Sequence, residues 1–184
     1  MTTERARRLF TVEEYHKIAE AGVLGEDDRV ELIRGEIVMM SPIGAAHVHF
    51  VNRLNKILVP KVGELGLVSV QNPVIVDPHS EPQPDILVLK PRDYRTRLPA
   101  REDVLLAVEV ADTSLAYDRR VKRPLYAEAM VPEYWVLDVA AAVIERCTGP
   151  EGDGYRHMER LRSGDSVTLI ALPAITIELA AILD

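Results

Sequence analysis

The stretch Leu105-Leu106-Ala107-Val108-Glu109-Val110-Ala111 constrains this chain most, because it is an apolar run broken by one carboxylate. A short, continuously apolar run reads as a strand covered on both faces. A carboxylate inside it is costly to bury unless it is paired or metal-bound. A second such strand, Ile86 to Leu89, is entered through Pro82-Gln83-Pro84-Asp85, so a second acid stands at its start. If the two strands pair, Asp85 and Glu109 converge at one end of the sheet.

The chain has 184 residues, 47% apolar and 28% charged, which is enough for one domain with a real core, taken as residues 1–184. Its net charge of −7 argues against a protein that coats nucleic acid. The same charge is compatible with an enzyme whose acidic ligands lower the total while a local basic patch binds substrate. Two candidate patches are Arg92, Arg95, Arg97 and Arg101, and Arg119, Arg120, Lys122 and Arg123. The bland reading of each is a solvated loop or helix face. There is no apolar run long enough to cross a membrane. The opening Met-Thr-Thr-Glu-Arg-Ala-Arg-Arg lacks the apolar segment of a secretory signal. The single Cys147 cannot form an internal disulfide. These features lead us to expect a cytoplasmic protein with no membrane partner. The five histidines show no zinc-like spacing.

Thr11-Val12-Glu13-Glu14 reads as a capping box opening a helix to about Ala21. Arg29 to Ile33 and Glu36 to Met40 read as strands turning at Arg34-Gly35. From Ala45 to Val62 the apolar residues recur at helical spacing, with Pro60 expected to kink or end the helix. Strands are expected at 67–70, 73–76, 86–89, 104–110, 133–138, 142–146, 155–161 and 167–169. A helix is expected over 117–130, bent or begun near Pro124, and a short final helix over 175–183. The pattern is a mixed α/β fold around one central sheet.

Carboxylates on neighbouring strands are natural ligands for a hard divalent ion, which supplies both an activated water and charge stabilisation for phosphodiester hydrolysis. Asp85 and Glu109 are the candidate metal ligands, with the Val110 carbonyl as a further one and Mg²⁺ or Mn²⁺ as the ion. Lys122 would stand at the pocket wall as a point charge orienting water or phosphate. Glu31, between apolar neighbours, could complete the catalytic set. Arg119, Arg120, Arg92 and His47 are the candidate substrate contacts. Each has a plainer alternative. Glu31 could be the outward residue of an alternating strand, and Asp85 a turn residue after proline. Glu109 could be half of a buried ion pair, Lys122 an i, i+4 partner of Asp118, and His47 an ordinary core or surface histidine.

The segments Val30-Glu31-Leu32-Ile33-Arg34-Gly35-Glu36, Met39-Met40-Ser41-Pro42, Pro84-Asp85, Val108-Glu109-Val110, Asp118 with Lys122, and Pro132-Glu133-Tyr134-Trp135-Val136-Leu137-Asp138 resemble the Uma-type family of restriction-endonuclease-like proteins. The resemblance runs from about Phe10 to the C-terminus. It implies the PD-(D/E)XK restriction-endonuclease-like fold, a divalent metal and usually a homodimer. Asp85 and Glu109 match the family's metal-binding acids, Glu31 its upstream acid, and Lys122 its lysine displaced onto the following helix. The position two after Glu109, where the general nuclease motif has its lysine, is Ala111. The leading expectation is thus a metal-dependent endodeoxyribonuclease. A non-catalytic nuclease-like binding or structural module is the alternative, and a small-nucleotide phosphohydrolase is a third reading.

Overall fold

A computed structural model describes residues 7–25 and 27–184. The first six residues, part of the segment read for a secretory signal, lie outside the described residues. The elements run in chain order as α1 (Val12–Glu20), β1 (Val30–Ile33), β2 (Glu36–Met39), α2 (Ala45–Val62), β3 (Leu67–Val70), β4 (Ile86–Leu89) and β5 (Val104–Ala111). Then come α3 (Leu115–Tyr117), a π-helical turn (Asp118–Lys122), α4 (Arg123–Glu128), β6 (Glu133–Asp138), β7 (Val143–Glu151) and β8 (Gly154–Leu161). The chain closes with β9 (Ser166–Thr168), β10 (Thr176–Glu178) and α5 (Ala180–Leu183).

The central sheet has the order β3-β4-β5-β6-β7-β8, with β5 and β6 parallel and every other neighbour pair antiparallel. Side chains alternate across it, which separates two apolar layers. Ile86, Val88, Leu106, Val108 and Val110 pack with Leu54 and Leu58 of α2 and with Ile182 and Leu183 of α5. Leu87, Leu89, Val104, Ala107 and Ala111 pack on the opposite face with Leu125 and Tyr126 of α4. Both faces are therefore covered, as the continuously apolar strands require.

The capping box of α1 forms as expected, with Thr11 Oγ1 accepting from the Glu14 backbone N–H and the Glu14 carboxylate accepting from the Thr11 backbone N–H. The β1–β2 hairpin turns on two residues with positive φ, Arg34 at 51° and Gly35 at 79°, which is the geometry that matches strand twist. Gly35 is also required by space, since a Cβ there would stand 2.5 Å from Leu9 Cβ. Pro60 sits in the last turn of α2 and leaves the helix running to Val62.

Three expectations are corrected. Residues 73–76 form no ladder strand, because the Val74 and Val76 amides are taken by the Pro82 and Ser80 carbonyls of the neighbouring loop. The expected final helix over 175–183 divides into a strand, with Thr176–Glu178 pairing with Ser166–Thr168, and a helix confined to Ala180–Leu183. The β-branched residues and alternating burial of Thr176–Glu178 suit a strand better than a helix. The helix expected from Tyr117 begins at Leu115 and widens into the π turn before Pro124 opens α4 in its first turn. Among the described residues, no helix is long and apolar enough to cross a membrane.

Candidate active site

The β4–β5 register decides the site. Ile86 lies opposite Val108, so one step further along the antiparallel ladder brings Asp85 beside Glu109. Glu109 shares its face with Ala107 and Ala111, whose small side chains leave room for groups from the π turn and α4. Lys122 Nζ stands 3.0 Å from Glu109 Oε1 and 3.0 Å from Glu31 Oε2. The Tyr126 hydroxyl donates to the same Glu109 oxygen at 3.2 Å, and the Gln83 amide donates to Glu31 Oε2 at 3.2 Å. All four of the catalytic candidates, Glu31, Asp85, Glu109 and Lys122, are buried and line one cavity of about 260 Å³. Lys122 pairs with these two acids rather than with Asp118 four residues back. The wider π turn re-aims the side chains it carries, as such bulges do at functional sites.

Asp85 is held from three sides. The Val110 amide donates to Oδ2 at 2.8 Å, Gln71 Nε2 donates to Oδ1 at 3.2 Å, and His47 Nε2 stands 3.0 Å from Oδ1. The other ring nitrogen of His47, Nδ1, is 3.0 Å from the Val110 carbonyl. His47 thus reaches from the first turn of α2 onto both the acid and the carbonyl singled out as candidate ligands.

The charges explain the protonation. Burial lifts the Glu109 carboxyl well above the usual range; Lys122 opposes this, and Asp118, Asp85 and Glu31 reinforce it. Burial works against the Lys122 ammonium, but Glu109, Glu31 and Asp118 outweigh it and hold its pKa above the ordinary lysine value. Glu109 is thus raised chiefly because it is buried, whereas Lys122 is raised because one ammonium faces several buried carboxylates. Burial also lifts Asp118, whose Oδ2 accepts from Ser114 Oγ at 2.6 Å. The hydrogen bond to Asp85 raises His47 above the ordinary imidazole value, against the effect of its burial.

The donor set fits a divalent cation by its chemistry. Two carboxylates on adjacent strands supply hard oxygen ligands, and the charge imbalance calls for a further cation. Among the described residues, no three His, Cys, Asp or Glu side chains already stand together as a metal cage. Lys122 and His47 occupy the carboxylate oxygens instead.

The remaining candidates lie elsewhere. Arg92 and Arg97 are tied to the buried Asp103 at 3.0 and 2.7 Å, and Arg95 is tied to Asp93. Arg119 pairs with Glu145 at 2.6 Å and with Asp138 at 3.5 Å, and Arg120 is exposed. None of these lines the cavity, whose one arginine is Arg29 among the described residues; Met39, Met40, Pro42 and Ile43 form an apolar part of its wall.

Two positions that sequence reasoning passed over belong to the site. Gln71 touches both Asp85 and His47 and holds a positive φ of 51°, an uncommon backbone state for this residue type. Its signal was only the turn-like Gln71-Asn72-Pro73. Tyr117 lines the cavity, yet its hydroxyl is sealed from solvent and has no hydrogen-bond partner among the described residues. Burial pushes its pKa up to about 12, with Glu31 adding to the effect.

A sheet whose central strands deliver two acids to one end, with a lysine crossing from the next helix, is the framework of a restriction-endonuclease-like protein. The Uma2 family model, described as "Putative restriction endonuclease", matches residues 12–180, and the chain belongs to that family. A solved structure from Anabaena variabilis, described as a "putative nuclease belonging to DUF820", is similar in fold. Its TM-score is 0.70 at 15% identity, covering 95% of this chain and 97% of that one. No curated protein sequence matches the chain.

Proposed function

We propose that this protein is a divalent-metal-dependent endonuclease that hydrolyses DNA phosphodiester bonds at the Asp85–Glu109 cluster. The observation that carries the reading is the convergence of Glu31, Asp85, Glu109 and Lys122 in one cavity at the end of β4 and β5. Asp85 and Glu109 would hold the ion, which when bound supplies Lewis acidity toward the phosphate and an activated water. Lys122, whose ammonium stands 3.0 Å from both Glu109 and Glu31, serves as a positioned positive charge. Glu31 and Tyr126 fix where Lys122 and Glu109 stand. Membership of the family supports DNA as the substrate.

A plasmid-nicking assay with added Mg²⁺ or Mn²⁺ tests this, run on wild type, Asp85→Asn and Glu109→Ala. Metal-dependent nicking lost in both variants supports the reading, and nicking retained in either removes it. One observation favours a second reading. The cavity is compact and among the described residues is lined by one arginine, Arg29, which suits a small phosphate ester better than a duplex. Hydrolysis of bis(4-nitrophenyl) phosphate without nicking of plasmid would select that reading. The homodimer implied by the resemblance belongs to the same proposal and is tested by sedimentation at several protein concentrations.

A further inference from the structure

His47 is placed as a metal-binding histidine is placed. Its Nδ1 faces the Val110 carbonyl at 3.0 Å, and a carbonyl only accepts, so Nδ1 carries the ring hydrogen. Histidine ligands characteristically donate their second ring N–H to a carbonyl or carboxylate in this way, which fixes the tautomer and frees the other nitrogen for the ion. That other nitrogen, Nε2, stands 3.0 Å from Asp85 Oδ1. Two lone-pair bearers at this distance need a cation between them, either a proton or a metal.

The 3.0 Å separation is that of a hydrogen bond, and it sets the two atoms side by side, close enough for both to reach one ion. Gln71 Nε2 reaches both Asp85 Oδ1 and His47 Nε2, at 3.2 and 3.4 Å, and steadies the pair. An imidazole in the ligand set favours first-row transition metals over Mg²⁺ and Ca²⁺, which prefer oxygen alone.

We propose that His47 Nε2 and Asp85 Oδ1 form a chelating pair for a first-row transition-metal dication, foremost Mn²⁺, which takes carboxylate as well as imidazole ligands, so that the site discriminates against Mg²⁺ and Ca²⁺. The inference rests on the reading of Asp85 as a metal ligand and adds a nitrogen ligand to it. His47 thereby sets which ion the site accepts.

Pulsed electron paramagnetic resonance of Mn²⁺-loaded wild type is the direct test. A ¹⁴N coupling characteristic of imidazole is expected, lost in His47→Gln and kept in His49→Gln, two residues along the same helix. Calorimetric titration of Mn²⁺, Mg²⁺ and Ca²⁺ should give Mn²⁺ at least about tenfold tighter binding than Mg²⁺ in wild type, with the preference lost in His47→Gln. Absence of the coupling in wild type overturns the proposal without reliance on any variant. So does its persistence in His47→Gln, or equal affinity for Mn²⁺ and Mg²⁺ in wild type. Nicking decides the nuclease reading separately. Nitrogen coupling in a protein that cuts no DNA keeps this inference and removes that reading. Cutting supported equally by Mg²⁺ and Mn²⁺, without nitrogen coupling, does the reverse.

Discussion

Lys122 Nζ lies 3.0 Å from Glu109 Oε1, an ammonium and a carboxylate paired out of solvent, and the same ammonium is shared with Glu31. Removing it would leave two buried acids without a cation. We expect Lys122→Met to lose roughly 3–5 kcal/mol of stability near neutral pH. The pH dependence has a definite sign. Glu109 has its folded pKa raised, chiefly by burial, so the folded state binds more protons than the unfolded one. Its contribution is therefore greatest below the ordinary carboxylate range and declines as pH rises toward the folded value. Lys122, also raised, adds stability that is lost only above the ordinary lysine range. The variant should thus lose less at about pH 5 than at about pH 8. Thermal melts of both proteins at the two pH values measure this, and an equal loss at both would show that the pair is not ionised.

Asp85 accepts the Val110 amide through Oδ2, and Asn can keep that bond through its own carbonyl oxygen. Asp85→Asn should therefore fold normally while losing a charged ligand. We expect nicking to fall on the order of 100-fold or more, with the melting temperature little changed. Circular dichroism melts and nicking rates on one preparation separate the two effects.

The Tyr117 hydroxyl is enclosed without a partner, which costs stability rather than adding it. Tyr117→Phe removes only that oxygen. The variant should be as stable as wild type or more stable by about 1 kcal/mol. A lower melting temperature would mean that the hydroxyl has an internal acceptor after all.

Asp103 is fully buried and anchors the arginine-rich segment through Arg92, Arg97 and the Ala100 amide. Both arginines are about half exposed, so solvent screens much of their share. Asp103→Ala should cost about 2 kcal/mol, most of it from the unpaired amide and lost anchoring. Mn²⁺ affinity, measured by titration, should stay unchanged because the anchor lies away from the metal candidates. A parallel loss of affinity would place the segment in the site.

The two acids were legible in the chain because each breaks a local rule. Glu109 interrupts an apolar run and Asp85 follows a proline at the start of another. Period-two alternation then put both on one face once their strands were paired. The partners were less legible, because they come from far along the chain. Gln71, His47 and Val110 meet Asp85 only through the β4–β5 ladder and the seat of α2. Arginine content suggested two basic patches, yet the fold spends Arg92, Arg95, Arg97 and Arg119 on acids such as Asp103, Asp93 and Glu145. Charge counted along a chain does not reveal which charges are already paired.

By itself the sequence determined the strands of the central sheet, the long helix α2, the Arg34-Gly35 turn and the identity of the unusual buried acids, since these follow from local propensity and hydrophobic period, whereas the strand at 176–178 escaped it. Only the tertiary structure decided that Lys122 reaches Glu109 and Glu31 across a π turn instead of Asp118 one turn back. It alone also decided that His47 stands against Asp85, because side-chain partners depend on long-range packing that no local pattern encodes.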